Sequence, residues 1–495
     1  VSFVALLAAL AHKEGRAQTT ALFRHRAITK DPLAIVAWQL GGEPYSVGAI
    51  ALGRQHTGFQ IFVPGYPLNR DLLFYALAQF GHEFCAQFEA VMAGPTEVLE
   101  EGNRTLEIPV HLPQILVPSI QTIDLIGRLG RRLAYLNTDA REGKAPADPI
   151  LVRLGRHLQW IARYAQMPGQ QLILPLSELL ATHYATSMSR FEAQSLPALN
   201  AWIDPPPGIH GFDAASEAER LAVGPVPNPL DGDYIYTHLM KPFNERRGKS
   251  TNPALIEKLV KPIRDYYADM TTKTWDLVWQ VIQRERKKPE AESVERRVLN
   301  DRKAYGEHMA WMNGPQKGLR RSRMTHRGAA ELLNTFEREL TLMEAEEAID
   351  DPLRMAPHIL SGKAMAGVVI VRDVNRRELI GNRACLRPSV TVRTNEPCFF
   401  PPDTELWWTK GAKGREWKVV GLEPDGASTK VTLILQTNIF KSSPIPDLGQ
   451  RVCFSEFNKH KPYEMFLPSA APWPHKQPKP PSDGDIEHTD LGVAG

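Results

Sequence analysis

Between Arg387 and Thr437 the chain consists of short apolar–polar alternating runs separated by tight-turn signals, and no other stretch restricts the fold as strongly. Ser389–Thr394, Thr404–Thr409, Arg415–Leu422 and Lys430–Thr437 are rich in Val, Thr, Trp and Leu and are too short for helices. Gly411–Gly414 and Pro424-Asp425-Gly426 supply turn chemistry at the hairpin positions. With Gly367–Asp373 before them and Arg451–Phe457 after, the runs predict a small antiparallel β-barrel-like module over 366–467, of SH3-like or OB-like size.

The remainder calls for a different architecture. A chain of 495 residues exceeds one ordinary core, so an α+β protein of several parts is expected. Residues 1–30 read as a leading helix and a basic link, Arg24 to Lys30. The opening apolar run has no basic residue ahead of it, and a truncated signal sequence is the alternative. A first residue Val matches either a fragment or an alternative start codon translated literally, and the chain looks bacterial.

Over 31–113 a small α/β unit is expected. Its strands are Leu33–Leu40, Tyr45–Leu52 and Gly58–Val63, with a helix from Arg70 to about Met92 capped by Asn69 and a closing strand Thr105–Leu112. Residues 114–365 read as helical, with a Pro/Gly-rich break near 197–229 and further breaks near Pro262 and Pro289. Within this region Arg128-Leu-Gly-Arg-Arg-Leu133 recurs as Arg153-Leu-Gly-Arg-His-Leu158. A glycine inside a helix costs about 1 kcal/mol relative to alanine, so a close helix crossing is the expected compensation. Residues 468–495, polar and proline-rich, read as a disordered tail or linker.

Net charge is only +3, so attraction to a polyanion must come from local patches. The cation-rich run Arg284–Lys303 leads to an acid-free loop carrying Lys317, Arg320, Arg321, Arg323 and Arg327, just ahead of a helix over Ala329–Ala348. Cations beside a helix N-terminus suit an anion; the competing reading is a loop paired with acidic helices of the same chain. On the β module, Trp407 and Trp408 are interleaved with Lys410, Lys413 and Arg415. Strand neighbours face opposite ways, so one indole is expected inside and the other is offered as a stacking platform with a cationic rim.

Two further patterns carry chemistry. Gly248-Lys249-Ser250 copies the end of a P-loop, but Phe243 stands where the motif needs another glycine, and nucleotide binding is rejected. Asp403 with Glu416 and Lys418 spells a PD-(D/E)xK pattern, in which Asp403 and Glu416 would hold Mg²⁺ and Lys418 would orient the attacking water. Four cysteines without a C-x-x-C pair argue against a disulfide scaffold and for a reducing cytoplasm, and no run is long enough to span a membrane. The expectation is a non-catalytic accessory protein with no cofactor. It would contact single-stranded nucleic acid through the basic loop and the aromatic hairpin, within a larger protein assembly. The alternatives are a Mg²⁺-dependent nuclease and a structural scaffold for protein interaction.

Overall fold

The computed structural model describes residues 3–40, 46–102, 104–139, 146–189, 194–247, 253–314, 325–411, 415–436 and 444–458. It is a mixed α+β protein with an N-terminal α/β sheet and a closed antiparallel barrel near the C-terminus.

Five strands form the N-terminal sheet, in the order Gly58–Phe62, Val47–Arg54, Leu33–Gln39, Ile115–Val117, Ile173–Pro175. The first three are antiparallel, and the last two are added in parallel. Leu33–Gln39 is buried along nearly its whole length, as an apolar run covered on both faces must be. On one face Ile35, Ile50 and Leu52 pack against Phe80, Phe84, Leu129 and Leu158 from the helices Arg70–Glu89, Ile120–Ala134 and Ile150–Tyr164. On the other, Val36 and Trp38 meet Leu180, Leu199, Tyr267 and Val278.

The expected three opening strands and the Asn69-capped helix are present, with the Asn69 side chain accepting from Asp71 N and Leu72 N. Two expectations are corrected. The segment read as a closing strand, Thr105–Leu112, does not join the sheet: Arg104–Pro109 pairs only with Thr96–Glu101, in a separate hairpin. The sheet is completed instead by two three-residue strands from beyond 113. Nor does the chain break at Pro262: a helix runs unbroken from Pro253 to Glu285. Its buried face (Ile263, Tyr267, Met270, Val278, Ile282) outweighs the roughly 3 kcal/mol that an interior proline costs.

The repeated Arg-Leu-Gly-Arg motif lies where the helices Ile120–Ala134 and Ile150–Tyr164 cross. A Cβ on Gly130 would sit 2.4 Å from Gln159 N, and one on Gly155 would sit 2.2 Å from Ala134 N. The glycines permit backbone-to-backbone contact, the compensation expected for their helical cost.

The basic link Arg24–Lys30 enters the interior at Arg24, His25 and Ala27, where it meets side chains from distant parts of the chain. Asp351 Oδ2 accepts from Leu22 N (2.6 Å) and Phe23 N (3.0 Å) and lies 3.3 Å from His25 Nε2. The His25 amide approaches His183 Nε2, whose ring meets Glu285 at 2.7 Å through Nδ1. Arg297 donates both to Glu346 and to the His25 carbonyl. Asp301 accepts from Tyr164 Oη and from Gln171 N; burial raises its carboxyl to about 7, with those hydrogen bonds pulling the other way. Such buried ions are tolerated because each has partners. Much of the basic run Arg284–Lys303 is consumed likewise: Arg296 and Arg297 by Glu346, Arg302 by Glu97, Arg286 by the Thr29 and Lys30 carbonyls.

The helix His326–Asp350 leads through Pro352–Leu360 into the barrel. Barrel order is Ala364–Asp373, Ser389–Thr394, Ser428–Leu435, Glu416–Asp425, Glu405–Trp408, Arg451–Ser455, closing on the first strand, with every pairing antiparallel. Alternate residues fill the interior: Val390, Val392, Leu406, Trp417, Val419, Leu433 and Phe454. The base of the barrel is seated on the helical body through Ala348, Met355 and Ala364, and Phe457 packs edge-on against His358.

Candidate nucleic-acid interface

Register decides what the barrel presents, and where. Asp373 lies opposite Ser389, Ser389 opposite Ile434, and Trp407 opposite Glu416. Asp373, Ser389, Trp408, Glu416, Leu435 and Arg451 are therefore the strand ends at one end of the barrel. The turn at Gly426 and the entry from the helical body lie at the other.

On the barrel wall, Leu406 is core and Trp408 packs partly against that core, so Trp407 is the outward indole. Both indoles are half-buried. The surroundings of Trp407 are mixed in charge rather than basic: it pairs with Glu416, and Glu405 pairs with Lys418 in the next outward row. Lys418 Nζ lies 2.9 Å from Asp403 Oδ1. Asp403 is the one described non-glycine residue with positive φ, at 75°, and its carboxylate is largely exposed. The sequence pattern thus yields an Asp403–Lys418 ion pair, while Glu416 stands two residues further along the strand, roughly 7 Å away. Trp417 and Val419 point inward, leaving Glu416 and Lys418 on the outer face.

Of the expected basic loop, Lys317, Arg320, Arg321 and Arg323 lie outside the described residues, as do Lys413 and Gly248-Lys249-Ser250. Arg327 is exposed in the first turn of the helix His326–Asp350 and pairs with Glu331 at 2.9 Å.

Sequence reasoning missed a hairpin, Arg377–Ile380 with Arg383–Leu386, inserted between the first two barrel strands. It rises from the end that carries Lys410 and Arg415. Arg372, Arg376, Arg377, Arg383, Arg387, Lys410, Arg415 and Arg451 all belong to this end, against Asp373, Glu378, Glu416 and Asp447. Arg372 pairs with Asp447 at 3.5 Å and Arg376 with Glu378 at 3.6 Å. Among the described residues, Arg377, Arg383, Lys410 and Arg451 are exposed and meet no carboxylate at ion-pair distance. At the opposite end Arg393 and Lys430 are both neutralised by Asp425. Four exposed cations without a carboxylate partner therefore gather on the end of the barrel facing away from the body.

A second constellation lies in the N-terminal half. Glu89 accepts two hydrogen bonds from Arg153 (2.5 and 2.7 Å) and meets His157 Nε2 at 2.7 Å, and His157 Nδ1 meets His308 Nε2 at 2.9 Å. Trp160 stacks on His308 at 4.2 Å. Burial opposes ionisation of Glu89, but hydrogen bonds from His157 and Arg153 outweigh it and hold the carboxyl at about 2. Burial pushes the Cys85 thiol up to about 12 and lowers the His157 imidazole. Cys85, Glu89 and His157 are the one group of described residues whose ligand atoms could share an ion. A protonated thiol and a carboxylate already saturated by Arg153 describe a structural relay better than a metal centre.

Comparison with profiles of known families, with curated proteins and with solved structures returned no match. Among the described residues, no helix is long and apolar enough to cross a membrane.

Proposed function

We propose that this chain binds single-stranded nucleic acid through the distal end of its C-terminal barrel, as a non-catalytic member of a larger nucleic-acid-handling assembly. The observation that carries the reading is the segregation of charge on the barrel. Arg296, Arg297 and Arg302 of the body are paired with carboxylates, whereas Arg377, Arg383, Lys410 and Arg451 crowd one end of the barrel without such partners. Clustered cations on a chain of net charge +3 act on phosphates at short range and release counterions on binding. Trp407 beside that end adds a π-face for a base, a contact worth about 1–3 kcal/mol and tolerant of sequence. The closed barrel anchors these groups at the ends of its strands and on the hairpin inserted between the first two, with no ordering of the wall required on binding.

The test is fluorescence anisotropy with a labelled oligothymidylate of about 15 nucleotides, long enough to span one barrel. Binding is expected at low ionic strength, with affinity falling steeply and log-linearly as salt rises. Charge reversal at Arg377, Arg383 and Lys410 should weaken binding to all sequences alike and flatten the salt dependence. Absence of association at low salt overturns the proposal.

A further inference from the structure

Resting on that reading, we infer that the hairpin Arg377–Leu386 is a wedge for the junction between paired and unpaired nucleic acid. Leu379 would pack on the last base pair, and the hairpin's arginines would hold the two diverging backbones. Its register pairs Arg377 with Leu386, Glu378 with Cys385, Leu379 with Ala384 and Ile380 with Arg383. The two-residue turn begins at Gly381 with φ 62°, as a tight primed turn requires, so the arm has one defined register. Alternation then separates two faces. Glu378, Ile380, Arg383 and Cys385 share one, the less open of the two, since Ile380 is better covered than Leu379. Arg377, Leu379, Ala384 and Leu386 share the other, which looks outward.

Leu379 is 75% exposed and Ile380 48% exposed, on a two-stranded element of the kind that is barely stable in water by itself. Leu379 beside Arg377 on one face, and Ile380 beside Arg383 on the other, suit a junction surface that is apolar in its middle and anionic on both sides. The exposed end of a base stack is such a surface, and apolar side chains of groove-binding proteins are used in this way at base steps. A bilayer fits less well, because the tip residues Gly381, Asn382 and Arg383 would have to enter the apolar layer ahead of Leu379.

The experiment compares three labelled ligands: an oligothymidylate, a blunt duplex, and a fork whose single-stranded arm equals the oligothymidylate. 2-Aminopurine at the junction reports unstacking. The wild-type protein should prefer the fork over the single strand by about tenfold and raise the 2-aminopurine signal. Leu379→Ser with Ile380→Ser, both at exposed positions, should abolish the preference and the signal. Affinity for the single strand and its salt dependence should remain. Equal wild-type binding to fork and single strand, or an unchanged preference in the double variant, overturns the wedge and leaves the nucleic-acid reading in place. Binding to no oligonucleotide, with or without binding to anionic lipid vesicles, overturns both.

Discussion

Gly155 offers a sharp test of why the Arg-Leu-Gly-Arg motif is repeated. On helix propensity alone, Gly155→Ala inside the helix Ile150–Tyr164 should stabilise the protein by about 1 kcal/mol. The crossing argues the reverse. The added Cβ would lie 2.2 Å from Ala134 N and 2.5 Å from Leu133 C, both backbone atoms that cannot rotate away. Ordinary contact begins near 3.4 Å, so the helices must part by about 1 Å, which forfeits a quarter to half of each contact across the interface. Overpacking of this kind costs about 1–3 kcal/mol, leaving a net loss of up to about 2 kcal/mol once the propensity gain is subtracted. Gly232→Ala is the control: its Cβ would meet nothing nearer than Pro227 Cγ at 3.5 Å, and it should gain about 0.5–1 kcal/mol. Urea-unfolding midpoints of the two variants should move in opposite directions. A Gly155→Ala protein more stable than wild type would refute the crossing as the reason for the glycine.

Further outcomes follow from the buried polar groups. Glu89→Ala strands Arg153 and His157 and should cost about 2–4 kcal/mol in thermal or urea unfolding, with Glu89→Gln costing less. Because the Glu89 carboxyl is held below its unfolded value, its stabilisation is present above about pH 4.5 and is lost as pH falls toward about 2; the Glu89→Gln protein should show a shallower acid decline over that window. Asp351→Ala removes the acceptor of Leu22 N and Phe23 N, the partner of His25 and the N-cap of the helix Pro352–Leu360. It should cost about 3–5 kcal/mol and speed hydrogen exchange of both segments together. In native protein, thiol reagents should label Cys385 on the arm first and spare Cys85 and Cys453, whose burial pushes both thiols up to about 12; labelling of Cys85 at the rate of Cys385 would contradict the packing around Phe84 and Phe88.

The barrel was legible because its interior is written at period two: Val390 and Val392, Trp417 and Val419, Val431, Leu433 and Leu435 recur between turn residues that only a hairpin accommodates. The Gly130 and Gly155 crossing was legible for a similar reason, since a costly residue repeated at the same motif position implies a compensating contact. The arm was not. Leu379 and Ile380 are adjacent and both exposed, so they break the alternation that marks a half-buried strand. The two parallel strands of the sheet also escaped notice, because three residues such as Ile173–Pro175 carry no period. Nor could charge counting foresee that Arg24 and His25 are interior. The carboxylates that meet this segment and its neighbours, Glu290, Glu346 and Asp351, lie more than 250 residues away and are brought in by tertiary packing. At the candidate interface, the sequence left open which indole faces out; the register with Glu416 makes it Trp407, and it moves the basic surface from the wall to the end of the barrel.

The central claim is that this end of the barrel holds phosphates. The most direct measurement is the salt dependence of oligothymidylate affinity, taken on the full chain and on a variant carrying Arg377→Glu, Arg383→Glu and Lys410→Glu. The account predicts steep log-linear weakening for the wild type and, for the variant, lower affinity with a slope smaller by about 2–3. Identical affinities and slopes for the two proteins would contradict it.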